Sequence, residues 1–228
     1  SLAYTGYGSS AIGNAVPLTT SGQDLNKTFE TIFPNTPVYT AFLVHITSAT
    51  ATGDFFLHFG SANTQFRSRV FVKSGTEPNT INFGISGSTG TGSYSSNNYT
   101  MGTTLLIVTR FLFDGAGNLT TTLYVNPTDL AHEPESEGIA VSEAPTTSNV
   151  TTSINSIALR QGTSGYSPKL TVDGLRVATS YDMALGNPTI TGSENILVSG
   201  NYHAVTVTGE GKTLELNGPA TVHGLLTL

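Results

Sequence analysis

Six runs between Pro37 and Val125 decide how this chain folds: PVYTAFLVHITSAT (37–50), GDFFLHFG (53–60), FRSRVFVKS (66–74), NTINFGIS (79–86), GTTLLIVTRFLFD (102–114) and NLTTTLYV (118–125). Each is β-rich, of strand length and partly alternating, and Gly, Ser, Asn, Asp or Pro fill the gaps. No helical segment separates them. Strands in such succession call for an antiparallel sandwich, because neither sheet buries its apolar face alone.

The alternation assigns faces. Tyr39, Ala41, Leu43 and His45 lie on one side of the first strand, and Phe42, Val44 and Ile46 on the other. Both sides are largely apolar, as expected where one meets the opposite sheet and the other is covered by loops or faces a groove. DFFLHF sets Phe55, Leu57 and Phe59 against Phe56 and His58. In the next run Phe66, Ser68, Val70 and Val72 oppose Arg67, Arg69, Phe71 and Lys73, and the basic side reads as an outer surface. Ile81, Phe83 and Ile85 point inward, and in the longest run Leu105, Ile107, Thr109, Phe111 and Phe113 oppose Leu106, Val108, Arg110 and Leu112. DGAGN (114–118) is a hairpin turn, since Gly and Asn accept positive φ at little cost.

Outside this block, residues 1–22 read as a loosely regular lead-in ending in an edge strand. Residues 22–34 read as an extended segment stopped by Pro34 and Pro37. After Asn126-Pro127, the run DLAHEPESEGIAVSEAPTTSN carries Glu133, Glu135, Glu137 and Glu143 and reads as a solvated crossover loop. INSIALRQ (154–161) and LTVDGLRVAT (170–179) are two further strands. From Gly186 the texture changes to short runs between Gly-containing turns (TVTG, LELNGP, TVHG, LLTL), resembling the first coils of a β-helical module. Two units are therefore expected, a sandwich over 1–185 and a short-strand segment over 186–228. The segment is expected to pack on the sandwich or to begin a further module, and the chain reads as a portion of a larger protein.

Charged residues make up only 11% of the chain, so Thr, Ser, Asn and Gly must carry its solubility. A net charge of −6, with nine Lys and Arg spread singly, argues against a nucleic-acid partner. There is no cysteine, which excludes disulfides, thiolate metal sites and thiol nucleophiles. No apolar run has the length to span a bilayer, so membrane insertion is not expected.

The ordered motifs FRSRVFVKSG, NTINFGIS, GTTLLIVTRFLFDGAGN, TLYVNPT, SINSIALRQG and VDGLRVATSYD resemble the concanavalin A-like, laminin-G-like jelly roll of large secreted proteins of Bacteroidota, exported by the type IX pathway. The resemblance covers Leu2 to Met183 and rests on structural motifs, so it speaks to fold more than activity. It implies an all-β, two-sheet antiparallel jelly-roll sandwich, secreted or at the cell surface, accompanied by neighbouring modules. It also implies attachment to a polysaccharide or cell-surface glycan, or a spacer role. Some relatives bind Ca²⁺ at loop carboxylates, and Asp173 matches the acidic residue of the family's closing strand. A structural calcium ion is thus a candidate, with Asp173 the preferred ligand and the Asp114–Asn118 turn a second source.

Catalytic signatures are weak. Histidines 45, 58, 132, 203 and 223 lack zinc-ligand spacing, and neither a GxSxG elbow, a P-loop nor a dinucleotide fingerprint occurs. No central strand carries the two acidic residues that catalytic members of the wider fold use. The expected role is non-catalytic; the alternative is a glycoside hydrolase or lyase on the same framework, which requires two carboxylates about 5 to 9 Å apart. Arg67, Arg69, Arg110 and Arg160 each fall within a strand and are placed with Tyr39 and His58 on one outer face. Rings stack on sugar C–H faces and guanidinium forks bond hydroxyls or uronates. The same residues are also read as cross-strand ion pairs covering apolar neighbours. The chain has no Trp, the best sugar platform.

Overall fold

The structure is a computed structural model. It describes residues 1–60, 65–146, 150–162, 165–186 and 211–215 with their side chains, and the backbone pairing of strands at 189–192, 196–202, 204–207, 216–222 and 226–227.

The strands, in chain order, are β1 (Val16–Leu18), β2 (Leu25–Ile32), β3 (Val38–Ser48), β4 (Asp54–Gly60), β5 (Arg67–Ser74), β6 (Thr80–Ser86), β7 (Ser93–Tyr94), β8 (Tyr99–Thr100) and β9 (Thr104–Phe113). They continue with β10 (Leu119–Val125), β11 (Ile139–Glu143), β12 (Ile154–Leu159) and β13 (Lys169–Ala178), then one helical turn, α1 (Tyr181–Ala184). The first sheet runs β1-β13-β3-β9-β10-β11 and the second β2-β12-β4-β5-β6-β7, with β8 also on β6. All these pairings are antiparallel. This is the two-sheet sandwich that the strand pattern predicts.

Between the sheets lie Phe42, Phe56, Phe59, Phe83, Phe111 and Phe113, all fully buried. Burying each ring stabilises the fold by roughly 1.5–3 kcal/mol. Phe59 stacks on Phe111 across the sheets, with ring centroids 6.4 Å apart. A polar contact also crosses this layer, between Ser68 Oγ and Thr121 Oγ1 at 2.8 Å.

The first sheet has a second buried layer on its outer face: Ala41, Leu43, Leu106 and Val108 under Tyr7, Tyr181 and Leu185, with Leu2, Tyr4 and Leu130 against it. This accounts for the two-sided apolar pattern of β3. Tyr7 fastens the lead-in, its one hydroxyl proton shared between the Ala41 carbonyl, 2.9 Å away, and the Gly174 carbonyl.

Two expectations fail for local reasons. The DFFLHF alternation is broken by register shifts in β4, so Phe56, Leu57 and Phe59 all point inward while Phe55 and His58 share the outer side. The acidic crossover also contains an edge strand, β11, paired along β10. Glu143 in β11 accepts the Gly87 and Ser88 amides at 2.7 and 2.9 Å and the Ser88 hydroxyl at 2.5 Å, tying the first sheet to a loop of the second.

Beyond Leu185 the pairing changes sense. Strands β14 (Thr189–Gly192), β16 (Ala204–Val207) and β18 (Leu226–Thr227) run parallel in one sheet, and β15 (Ile196–Tyr202) with β17 (Leu214–Val222) parallel in another. His203 and His223 lie outside the described residues. Among the described residues no helix is long and apolar enough to cross a membrane.

Candidate functional site

The outer face of the second sheet carries a layer of rings and cations. Because Phe55 and His58 of β4 both turn outward, they meet Phe66, just before β5, and Arg69 on it. The Phe55 and Phe66 centroids are 6.0 Å apart, and His58 lies 4.7 Å from Phe66. The Arg69 guanidinium sits 5.1 Å from both phenyl centroids, and that of Arg160, just after β12, 4.3 Å over Phe55. Further along β5, Lys73 Nζ lies 4.2 Å over Tyr94, whose ring meets Phe71. Phe66 is 38% exposed, whereas His58 and Phe71 are buried at 4%.

These contacts hold the cations in place. Arg160 donates to Asp54 Oδ2 at 2.7 Å, and Arg69 to the Thr89 carbonyl at 3.0 Å. The enclosed Arg69 Nε has no partner among the described residues. Beside Phe71 and Tyr94 lies a cleft of about 190 Å³, floored by β4 and β5 and walled by Gly90, Thr91 and Gly92. A Cβ at Gly92 would sit 2.8 Å from the Phe71 ring, so glycine lets the loop lie flat on that ring. Asp54 is the one carboxylate lining this cleft among the described residues. Burial pushes the His58 imidazole below its ordinary value, against the pull of the Phe59 carbonyl at 3.0 Å from Nδ1.

The six predicted ligand-binding residues do not share one face. His58, Arg69 and Arg160 gather on the second sheet's outer side. Tyr39 and Arg110 belong to β3 and β9, paired neighbours in the first sheet, and stand on the opposite side of the sandwich. Consecutive strands of one chain can enter different sheets, and strand alternation alone does not say which. Arg67 is 5% exposed: its Nε donates to the Thr151 hydroxyl at 2.6 Å and a second nitrogen to the Phe66 carbonyl at 3.2 Å. The reason is the backbone of Ser68, whose φ of 46° breaks the alternation and brings Phe66 to the outer side with Arg69.

Tyr39 and Arg110 meet Glu133, which its aperiodic run would place in a solvated loop. Glu133 accepts the hydroxyls of Tyr39 and Tyr124 at 2.6 and 2.8 Å, with Arg110 Nε 3.7 Å away. Burial, then the bond to Glu133 and its charge, pushes Tyr39 up to about 12. Burial and the same carboxylate raise Tyr124 also. The alternation of β3 places Tyr39, but its acidic partner lies in a loop without periodicity, which gives no signal for the contact.

The candidate calcium ligands accept backbone amides. Asp173 is buried and accepts the Leu2 amide and, at 2.9 Å, the Gly174 amide. Asp114 Oδ1 accepts the amides of Ala116, Gly117 and Asn118 at 2.8, 3.0 and 3.0 Å, and its other oxygen takes the Asn118 side-chain amide. Those bonds hold the Asp114 carboxyl below its ordinary value. The two aspartates lie at separate places on the first sheet, and no group of three or more acidic or histidine side chains that could hold a metal occurs among the described residues.

No protein-family profile matches the chain, and no curated protein sequence matches it. Solved structures do align. A SAP-like pentraxin from Limulus polyphemus is 9% identical over 75% of this chain and 80% of its own, with a TM-score of 0.46. The alginate lyase Aly36B, in complex with alginate tetrasaccharide, is 14% identical over 73% of this chain and 80% of its own, with a TM-score of 0.49. Congerin II liganded with lactose and MES is 13% identical over 68% of this chain and all of its own, with a TM-score of 0.40. At these values the fold rests on the strand pairing described above, and no function is carried across.

Proposed function

We propose that this chain is a non-catalytic carbohydrate-binding sandwich module of a secreted or cell-surface protein, and that the outer face of the second sheet holds the glycan. The observation that supports this reading is the layer of Phe66, Phe55, Arg69 and Arg160. Phe55 and Arg69 stand on strands, Phe66 and Arg160 directly beside them, and the layer presents an exposed ring beside guanidinium donors. Cation–π contact restrains each guanidinium before a ligand arrives, which reduces the ordering cost of binding. Phe66 offers an apolar face to sugar C–H groups, and the forks offer paired donors to oxygens.

The parallel strands after Leu185 fit a role beside further modules, as the Bacteroidota resemblance also implies. Affinity electrophoresis against a panel of soluble polysaccharides tests the reading. Retardation in at least one gel is expected, and the Phe66→Ala and Arg69→Ala variants should lose about tenfold in affinity. Retardation by none would sink the carbohydrate reading. Release of new reducing or unsaturated ends from a bound polymer would overturn the non-catalytic part.

A further inference from the structure

The chain is acidic overall, with nine Lys and Arg against fifteen Asp and Glu, yet Arg69, Lys73 and Arg160 stand on one sheet face. Arg160 is balanced by Asp54. Arg69 and Lys73 have no carboxylate within 4 Å among the described residues. The nearby Glu143 is held by the Gly87 and Ser88 amides. Arg69 and Lys73 are four residues apart on β5, about 13 Å by strand rise. The Phe71 and Tyr94 cleft lies between them.

Donor balance points the same way. A guanidinium and an ammonium only donate. Of the five N–H groups of Arg69, one, to the Thr89 carbonyl, is bonded among the described residues. The Asp54 carboxylate, the strongest acceptor in the cleft, is taken up by Arg160. The hydroxyls of a neutral sugar can accept these bonds but bring no charge to offset Arg69 and Lys73; a ligand bearing acceptor-only anionic groups does both.

We infer that the ligand of this face is a polyanionic glycan, carrying uronate carboxylates or sulfate esters, held along β5 by Arg69 and Lys73 on either side of the Phe71–Tyr94 cleft. This rests on the carbohydrate reading above. The rings order the two cations, and the glycan supplies the counter-charges that the protein leaves out. The sugar ring lies over Phe66 and the cleft, while the anionic groups take the unused donors.

The test is titration calorimetry of the full chain against polygalacturonate, heparin, dextran and poly-L-glutamate at low and high salt. Polygalacturonate or heparin should bind at least about tenfold more tightly than dextran, and weaken severalfold as added salt shortens the screening length. Preference between the two assigns the anion as carboxylate or sulfate. Lys73→Gln, at a half-exposed position, should weaken the acidic polymer about tenfold and leave the thermal midpoint unchanged. Arg69→Lys keeps the charge but loses the fork, and should fall between. Equal binding of dextran, insensitive to salt, would overturn the inference and leave the carbohydrate reading standing. Equal binding of poly-L-glutamate would overturn it in favour of charge alone. Failure of all four polymers to bind, with no retardation in the polysaccharide panel, would end both.

Discussion

At Asp173 a buried carboxylate receives the backbone amides of Leu2 and Gly174, fastening the first residues of the chain to β13. Truncating it leaves both N–H groups without this acceptor, so Asp173→Ala should cost about 1–3 kcal/mol in chemical denaturation. Each Asp173 oxygen already accepts an amide, and no further acidic or histidine side chains group with it among the described residues. A thermal melt with Ca²⁺ should therefore match one with EDTA; a raised midpoint would show a bound ion, since a site occupied only when folded must stabilise. His58 gives a second prediction. Its folded pKa lies below the unfolded value of 6.5, so the unfolded chain takes up a proton first as pH falls. Its contribution is fully present above pH 6.5 and is lost as pH falls through the folded value. The thermal midpoint should drop between pH 7.5 and 5.5, and His58→Gln should flatten that drop; an identical slope in the variant would show that His58 is not its source.

Among the elements, β11 and the β6–β7 loop depend on each other through Glu143. A Cβ at Gly87 would lie 2.9 Å from the Glu143 carboxyl carbon, so glycine permits the approach that the bonds require. Replacing Glu143 by Ala removes the acceptor of two amides and a hydroxyl and should destabilise the fold by about 1–3 kcal/mol. It should also raise hydrogen exchange at Gly87 and Ser88 above that of the β5–β6 ladder. An unchanged exchange rate there would mean that strand pairing alone holds the loop. The irregularities in β4 and β5 act at this scale too. By turning Phe55 and Phe66 outward together, they build the ring layer on which Arg69 and Arg160 rest.

For the whole molecule, the outer layer on the first sheet makes alkaline stability a collective property. Burial raises Tyr7, Tyr39, Tyr124 and Tyr181, with Glu133 adding to Tyr39 and Tyr124; burial and Asp54 push Tyr94 up to about 12. A folded pKa above the ordinary 10 means that the contribution is complete below pH 10 and is lost as pH climbs through the folded values, about 12 for Tyr39 and Tyr94. Absorbance titration of tyrosinate should therefore show two phases, the late one coinciding with loss of the β-sheet circular dichroism signal. A single phase near pH 10 with the sheet signal intact would contradict the packing of Tyr39, Tyr124 and Tyr181.

The amino-acid sequence by itself determined the sandwich. Alternating Val, Ile, Leu and Phe, punctuated by turns such as Asp114–Asn118, can bury their apolar faces only as paired sheets. It also located Arg69, Lys73 and Phe71 on one outer side, because period-two alternation survives between Arg69 and Lys73. Which strands share a sheet was decided by tertiary structure, since β3 and β4 are consecutive yet lie in opposite layers. That is why Tyr39 and Arg110 are separated from His58 and Arg160. Local backbone breaks, the positive φ of Ser68 and the register shifts of β4, moved Arg67 inside and Phe66 outside. The partners of Glu133, Glu143 and Asp173 came from packing alone: each lies more than fifty residues from at least one group it bonds, and a carboxylate's partner is set by which distant chain passes beside it.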